Sequence, residues 1–146
     1  MTEITISRLS PHLIQPRELT QLNALLKQFS PKAAPLTMVD LRTMVQQNFL
    51  FVARNEGKNN IVGMTMLAYY HKPTGRVGII EDVIVDQAYR RQGIGRALVQ
   101  RAIDTGRRCG LKHIELTSNP SRVEARALYT SLGFKERDTG CFRLEL

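Results

Sequence analysis

Residues 79–98 read Ile-Ile-Glu-Asp-Val-Ile-Val-Asp-Gln-Ala-Tyr-Arg-Arg-Gln-Gly-Ile-Gly-Arg-Ala-Leu. Their pattern predicts a buried strand that leads through a short turn into the start of a helix. The turn ends in Arg90-Arg-Gln-Gly-Ile-Gly95. Because glycine has no Cβ, it lets the main chain come close to a ligand, and a helix N-terminus presents N–H groups to an anion. We therefore expect residues 90–95 to hold a diphosphate.

Two common phosphate-binding motifs do not fit this stretch. A Walker loop needs a Lys-Ser or Lys-Thr pair to reach the phosphates and hold magnesium, and the chain contains neither pair. A dinucleotide-binding fingerprint needs a third glycine after Gly93 and Gly95, but position 98 is leucine. Its acidic partner for the ribose, expected about 20 residues further on, has no better candidate than Glu115. A third pattern is required.

The pattern Arg90-x-x-Gly93-x-Gly95 resembles a motif of the GNAT family of N-acetyltransferases, in which it holds the diphosphate of coenzyme A. Leu116-Thr-Ser-Asn119, followed by Ala125-x-x-Leu128-Tyr129-x-x-Leu132-Gly133-Phe134, is similar to a second signature of this family. The motifs cover residues 79–135. The resemblance implies that acetyl-CoA is the co-substrate and that no metal is needed. The cofactor-binding residues that it implies are Val83, Ile84, Val85, Arg90, Arg91, Gln92, Gly93, Ile94, Gly95, Arg96 and Asn119, with the strand backbone of residues 83–85 pairing with the pantetheine arm.

Hydrophobic periodicity and turn signals predict elements in the order β-α-α-β-β-β-α-β-α-β-β. This order matches the GNAT fold, an α/β fold with a central mixed sheet of about six or seven strands flanked by about four helices. We expect one domain over residues 1–146. The predicted strands cover 4–9, 49–53, 61–70, 79–85, 112–117 and a segment from Phe134; the predicted helices begin at Pro16, Thr37, Gly95 and the capping box Ser121-Arg-Val-Glu124.

Two neighbouring acids lie in the strand before the loop. Strict alternation would place Glu81 on one face with Val83 and Asp82 on the other face with Ile80 and Ile84. Desolvation in an apolar strand raises the pKa of a carboxyl, which suits a general base. The resemblance implies that Glu81 is this base, often acting through a water. The alternative is a structural carboxylate that accepts hydrogen bonds, and this role is favoured for Asp82.

Tyr129 and Asn119 are the remaining candidates. Helical spacing places Tyr129 on the core-facing side of its helix. The resemblance implies that its phenol protonates the departing thiolate of coenzyme A, whereas the alternative role is that of a core aromatic. Asn119 matches a family asparagine that contacts the cofactor, and its alternative role is that of a turn residue before Pro120.

Composition narrows the class of protein. The 146 residues carry a formal net charge of +8 and are 42% hydrophobic, as in a globular domain. The positive charge would suit any polyanion, but zinc-ligand spacing, a helix-turn-helix pattern and stacking aromatics are absent from the sequence, so we expect no nucleic-acid partner. No apolar run is long enough for a membrane helix, and the N-terminus lacks the pattern of a signal peptide. With two cysteines outside any framework, we expect a cytoplasmic protein without a membrane partner.

The acceptor of the acetyl group is suggested by spacing. Asn119 precedes Tyr129 by ten residues, which resembles family members that act on small molecules more than those that acetylate protein N-termini. Residues 78–85 are similar to glucosamine-6-phosphate acetyltransferases in particular. The leading interpretation is direct transfer, in a ternary complex, to a primary amine of a small molecule such as an amino sugar phosphate or an aminophosphonate. A protein N-terminal or lysine acetyltransferase is the first alternative, and a non-catalytic coenzyme-A-binding regulatory module is the second. Many members of the family form dimers, so the resemblance also implies that the chain can form a homodimer.

Overall fold

The computed structural model describes residues 2–146 and divides the chain into two compact units. The first unit ends at Leu116, and the second comprises Thr117–Leu146. All five strands and the first three α-helices lie in the first unit, and the second unit contains the fourth helix.

The sheet is mixed, as predicted. Its strands are β1 (Ile4–Arg8), β2 (Phe49–Asn55), β3 (Asn60–Lys72), β4 (Gly75–Val85) and β5 (Ile114–Glu115), and they lie side by side in chain order. The first four strands pair antiparallel, and β5 pairs parallel to β4. β3 and β4 form a long hairpin whose turn is at residues 73–74, so both strands extend beyond the predicted 61–70 and 79–85.

The helices are α1 (Pro16–Phe29), α2 (Met38–Gln47), α3 (Ile94–Arg108) and α4 (Val123–Ser131), with a single 3-10 turn over Gln87–Tyr89. The predicted start of α2 is confirmed: the amide of Asp40 donates to the Thr37 hydroxyl at 3.1 Å, and the amide of Thr37 donates to the Asp40 carboxylate at 2.9 Å. This reciprocal capping satisfies two helix-end donors. Pro16 opens α1 at a position where no amide donor is required.

In the first unit, helices cover both faces of the sheet. The side chains of β2 point alternately to the two faces, so this strand contacts helices on both. Leu50 and Val52 belong to a buried cluster with Leu22 of α1 and Leu41 of α2. Phe51 lies on the opposite face, where the guanidinium of Arg101 in α3 lies 5.8 Å from its ring centroid. Full burial of each such aliphatic or aromatic side chain contributes roughly 1.5–3 kcal/mol to folding. The prediction of helices on both faces is confirmed.

A glycine in β3 allows α3 to approach the sheet closely. A Cβ on Gly63 would lie 3.1 Å from the carbonyl oxygen of Ile84 and 3.1 Å from a methyl carbon of Leu98. Both distances are shorter than ordinary van der Waals contact. The first turn of α3 is therefore held against β3 and the end of β4 by the absence of a side chain at this position.

Three sequence-based expectations about the elements are wrong. Residues 134–146 form neither a helix nor a strand, so the strand expected from Phe134 is missing. Residues 2–146 form a sheet of five strands and not the expected six or seven. The predicted strand at 112–117 shortens to β5 because only two of its residues pair with β4. The helical period of α1 predicts that Phe29 points inward with Leu22 and Leu25, but Phe29 is exposed at the end of the helix. Alternating apolar residues form a strand only where a neighbouring strand accepts their hydrogen bonds.

Candidate active site

A β-bulge interrupts β4 where the two acids lie. Met64 pairs with Ile84 and Met66 pairs with Glu81, so Asp82 and Val83 together lie opposite the single residue Thr65. Asp82 adopts a left-handed conformation with φ 54°, at a position of the bulge that commonly takes glycine.

The bulge changes which faces the acids occupy. Ile80 and Ile84 are buried, whereas both Glu81 and Asp82 are exposed. In the register of the hairpin, Ile84 pairs with Met64 and Ile80 pairs with Leu67, so these two isoleucines lie on opposite faces of the sheet. The expectation that Asp82 shares one face with both is therefore wrong, because the extra residue breaks the period of two. The result is a pair of adjacent carboxylates within residues 77–85 of β4, which are otherwise apolar.

The surroundings of Glu81 suit a proton acceptor. Partial burial, and to a smaller extent the charge of neighbouring Asp82, raises the pKa of Glu81 above its usual 4.5. The residue as a whole is exposed, so its carboxylate is only partly desolvated. A carboxylate with a raised pKa is a stronger base than an ordinary one. The assignment of Glu81 as the base remains a prediction.

One side of β4 is open near these acids. β5 pairs with β4 only at Gly78 and Ile79, so no strand within residues 2–146 pairs with that side of β4 from residue 80 to residue 85. A strand edge without a partner presents main-chain N–H and C=O groups to an extended ligand. The carbonyl of Val85 already accepts a bond from the Arg90 guanidinium at 3.2 Å. Val83, Ile84 and Val85 are thus placed where the predicted pairing with pantetheine would occur.

The turn after β4 is fixed from two sides. The side chain of Asp86 accepts a hydrogen bond from the amide of Ala88 at 2.8 Å and so caps the 3-10 turn. The buried Asn55, at the end of β2, donates to the hydroxyl of Tyr89 at 2.9 Å. The side chain of Gln28 in α1 accepts from the amide of Gln87 at 3.1 Å. These bonds hold the segment that leads into the arginine-rich loop. Neither Asn55 nor Tyr89 was predicted, because their contact joins residues that are far apart in the chain.

Two residues of the loop adopt a left-handed backbone conformation. Arg91 has φ 62° and Gly93 has φ 78°. Gly93 is the N-cap, so α3 begins at Ile94, one residue before the predicted start. Ile94 is buried and anchors the first turn of α3.

Main-chain donors and positive charge come together at this loop. The first intrahelical bond runs from the amide of Ala97 to the carbonyl of Gly93 at 3.0 Å, so the amides of residues 94–96 belong to the helix end that lacks intrahelical acceptors. Arg90, Arg91 and Arg96 are exposed around it. The arrangement favours an anion such as a diphosphate.

The second unit carries Tyr129, in α4. Tyr129 is buried, at 9% exposure, and its ring packs edge-on against Phe134 with 6.0 Å between centroids. Burial raises the pKa of Tyr129 above its usual 10.0, and the positive charge of Arg122 partly opposes this rise. A phenol with a raised pKa keeps its proton at neutral pH, as a general acid must. A core aromatic would have the same surroundings, so the acid role remains a prediction.

Asn119 has the geometry of a turn residue. Its side-chain oxygen accepts from the amide of Ser121 at 2.9 Å and from the Ser121 hydroxyl at 2.8 Å. Helix α4 begins at Val123, with Arg122 at the N-cap and no side-chain cap bond. The predicted capping box is wrong because Ser121 lies in the turn held by Asn119, one residue before the N-cap position. Contact between Asn119 and a cofactor remains a prediction.

The sequence model of the Acetyltransferase (GNAT) family matches residues 19–134. The chain belongs to this family. The predicted family and fold are confirmed, and an N-acetyltransferase is the kind of enzyme that the family implies.

Individual relatives differ in what their names say of the acceptor. The chain is 30% identical over 118 residues to mycothiol acetyltransferase of Beutenbergia cavernae, which covers 77% of the chain but only 39% of that protein. It is 28% identical over 139 residues to glucosamine 6-phosphate N-acetyltransferase 1 of Oryza sativa, covering 86% of the chain and 82% of the relative. The crystal structure of a Trypanosoma brucei acetyltransferase is 27% identical, with a TM-score of 0.80, over 99% of the chain and 100% of that structure.

Among residues 2–146 there is no group of three or more His, Cys, Asp or Glu side chains that could hold a metal ion. None of the helices in the same part of the chain is long and apolar enough to cross a membrane.

Proposed function

We propose that the protein is an acetyl-CoA-dependent N-acetyltransferase that moves an acetyl group directly to a primary amine of a small molecule. The observation that carries the proposal is the continuity of β4, the loop and α3. A strand edge with two exposed carboxylates and no partner strand at residues 80–85 continues through residues 86–93 to the N-terminus of α3, which is flanked by three arginines. The proposal treats residues 1–146 as one catalytic domain.

Acetyl-CoA would be held along this path. The backbone of Val83, Ile84 and Val85 would pair with the pantetheine arm and help to orient the thioester carbonyl. The diphosphate would accept hydrogen bonds from the loop amides and pair with the nearby guanidinium groups. The residues assigned to the diphosphate are Arg90, Arg91, Gln92, Gly93, Ile94, Gly95 and Arg96, with Asn119 as a further cofactor contact from the second unit.

The chemistry needs one base and one acid. Glu81, directly or through a water, would take a proton from the ammonium form of the acceptor, so that the neutral amine can attack the thioester carbonyl. The new C–N bond forms, the C–S bond breaks and the thiolate leaves. The nitrogen of the new amide then loses its second proton, which restores the proton that Tyr129 donates to the thiolate. Tyr129 would donate its proton to that thiolate, since the usual pKa values of a phenol and a thiol, about 10 and about 8.5, are close enough for transfer. No covalent acetyl-enzyme is required.

The small-molecule acceptor is supported by spacing and by likeness. Asn119 and Tyr129 are ten residues apart, a spacing that resembles that of family members acting on small molecules more than that of members acetylating protein N-termini. The likeness to a glucosamine 6-phosphate N-acetyltransferase extends over most of both chains. A phosphorylated amino sugar is therefore the first acceptor to test. A protein N-terminal or lysine acetyltransferase is the alternative within the family, and a non-catalytic coenzyme-A-binding module is the more distant one.

Replacing Tyr129 by phenylalanine separates the enzyme from the binding module. The variant keeps the ring that packs on Phe134 and removes only the hydroxyl. We expect turnover with glucosamine 6-phosphate, or with whichever amine proves best, to fall about 10²-fold or more while acetyl-CoA binding is retained. If the wild-type protein binds acetyl-CoA but acetylates neither small amines nor peptides, the regulatory module becomes the better account.

We also propose a cytoplasmic location. Cys109 and Cys141 are both free thiols. Free cysteines are typical of a reducing compartment, where acetyl-CoA is also used.

A further inference from the structure

A threonine lies at the centre of the sheet, directly opposite the bulge that carries the acids. Thr65 is completely buried, between Met64 and Met66 in β3. Its hydroxyl donates a hydrogen bond to the carbonyl oxygen of Glu81 at 3.1 Å. Valine has the same shape and no polar group to satisfy, so packing alone does not explain a threonine at this position.

The bond acts on one particular peptide group. The carbonyl of Glu81 belongs to the peptide that joins Glu81 to Asp82, and the orientation of this peptide is set by ψ of Glu81 and φ of Asp82. Asp82 has a φ of 54°. An L-residue other than glycine adopts this conformation at some cost, and keeps it only where neighbouring groups hold it. Rotation of this peptide would redirect both carboxylates together.

We propose that Thr65 is a positioning residue of the transferase site: its buried hydroxyl holds the Glu81–Asp82 peptide and thereby directs the Glu81 carboxylate. The inference rests on the proposed role of Glu81 as the base. Thr65 itself touches neither the acceptor nor acetyl-CoA in this account. Loss of its hydroxyl should therefore impair proton transfer and leave the cofactor loop at Arg90–Arg96 intact.

Three variants test the inference by kinetics. Thr65→Val removes the hydroxyl and keeps the shape, whereas Thr65→Ser keeps the hydroxyl. Thr105→Val is the matched control, because Thr105 is also a buried threonine of the first unit whose hydroxyl donates to a main-chain carbonyl, that of Arg101 at 2.8 Å. We expect Thr65→Val to lower kcat about tenfold to a hundredfold, since a small displacement of a catalytic group has effects of this size. Its KM for acetyl-CoA should stay within about twofold of the wild-type value.

The serine and control variants complete the kinetic pattern. Thr65→Ser should recover most of the wild-type kcat, and Thr105→Val should turn over like the wild-type protein. A purely structural role for Thr65 would instead lower the melting temperature without a difference in kcat between the valine and serine variants, and would overturn the inference. If Thr65→Val does not fold, Thr65→Ala supplies the loss of the hydroxyl.

A second readout does not depend on activity. The pH titration of the Glu81 carboxyl carbon can be followed by NMR, with its signal assigned by its loss in Glu81→Gln. We expect the midpoint to differ between Thr65→Val and the wild-type protein and to return in Thr65→Ser. Identical titrations in all three proteins would overturn the inference. If Glu81→Gln retained full turnover, the proposed role of Glu81 as the base would be wrong. An altered titration of Glu81 in Thr65→Val would still show that Thr65 fixes the Glu81–Asp82 peptide.

Discussion

The Asn55 side-chain amide donates a hydrogen bond to the Tyr89 hydroxyl at 2.9 Å, and this bond connects the end of β2 to the turn that precedes the arginine-rich loop. Asn55 is only 3% exposed, and its side-chain oxygen accepts from the amide of Lys58 at 3.2 Å. Both ends of the buried amide are thus satisfied. The loop that we assign to the diphosphate is therefore held by a group outside the loop itself.

Removal of the Tyr89 hydroxyl should weaken cofactor binding. Tyr89→Phe leaves the buried amide of Asn55 without this acceptor, which costs about 1–3 kcal/mol. Because the adjacent loop is then less firmly held, we expect KM for acetyl-CoA to rise several-fold while kcat changes little. Steady-state kinetics at varied acetyl-CoA measure this, with Tyr70→Phe, an exposed tyrosine of β3, as the control. An unchanged KM would mean that the bond does not support the loop.

Neutralising Glu81 should lower activity and raise stability together. Because the pKa of Glu81 is raised in the folded protein, its ionised form is disfavoured there relative to the unfolded chain. This cost is absent below the usual pKa of 4.5, develops as the pH rises from that value through the folded pKa, and is complete above the folded pKa. Glu81→Gln should therefore raise the free energy of unfolding at pH 7, by less than about 1 kcal/mol because the carboxylate is partly solvated. It should also lower kcat about 10²-fold or more.

Thermal melts of Glu81→Gln and wild-type protein across pH test the sign. The two curves should converge in acid and separate toward neutral pH, with the variant more stable. A variant that was less stable at pH 7 would show that the carboxylate makes a stabilising contact and is not destabilised by its surroundings.

Replacing Asp82 by asparagine should move the pH dependence of catalysis. The charge of Asp82 is the smaller of the two causes that raise the pKa of Glu81. Without that charge the pKa of Glu81 falls, so a base at Glu81 becomes active at lower pH. The rising limb of the plot of kcat/KM against pH should shift toward acid in Asp82→Asn, whose side chain also tolerates the left-handed backbone. If the rising limb did not move, or moved toward alkaline pH, its pKa would not be that of Glu81.

The conformation of Asp82 gives a prediction about stability alone. Glycine adopts a φ of 54° without a steric penalty, whereas alanine does not. Asp82→Gly should be more stable than Asp82→Ala by about 1 kcal/mol, measured as free energy of unfolding in urea. The same pair of changes at Glu81, which does not have a positive φ, should favour alanine. An equal loss at position 82 would contradict the left-handed bulge.

The close approach of α3 to β3 predicts a cost for any side chain at Gly63. Gly63→Ala would bring a methyl group to 3.1 Å from the Ile84 carbonyl and from a Leu98 methyl. We expect a loss of about 1–3 kcal/mol of stability and weaker acetyl-CoA binding, because the N-terminus of α3 must shift. Gly57→Ala is the control, since its added methyl would only meet the Asn55 side chain at 3.5 Å, an ordinary contact. Equal stability of the two variants would contradict the tight packing at Gly63.

Local signals in the sequence predicted most of the first unit. The glycines and arginines of residues 90–96 indicated the loop and the start of α3 within one residue, because a left-handed N-cap and a helix start depend on neighbouring residues. The cap of α2 at Thr37 and Asp40 was predicted for the same reason.

Features that depend on distant partners were not predicted. The bulge at Asp82 exists because β3 supplies one residue opposite two of β4. The alternation of side chains along β4 does not show how many residues of β3 lie opposite Asp82 and Val83. The sequence signal nearest to this feature was the threonine within the apolar run of β3. The strand expected from Phe134 is missing because alternation does not supply a neighbouring strand. The capping box at Ser121 failed because the bonds to Asn119 hold Ser121 in a turn, and α4 begins only at Val123.

The most direct test of the account is thiol release from acetyl-CoA, measured with a disulfide reagent across a panel of acceptors. The panel contains amino sugars and their phosphates, aminoalkylphosphonates, polyamines, amino acids and short peptides, with Glu81→Gln as the matched control. We predict turnover with a small primary amine that is lost in Glu81→Gln. Turnover only with peptides would contradict the small-molecule assignment, and no turnover with any acceptor, while acetyl-CoA still binds, would contradict the proposal that this site catalyses acetyl transfer.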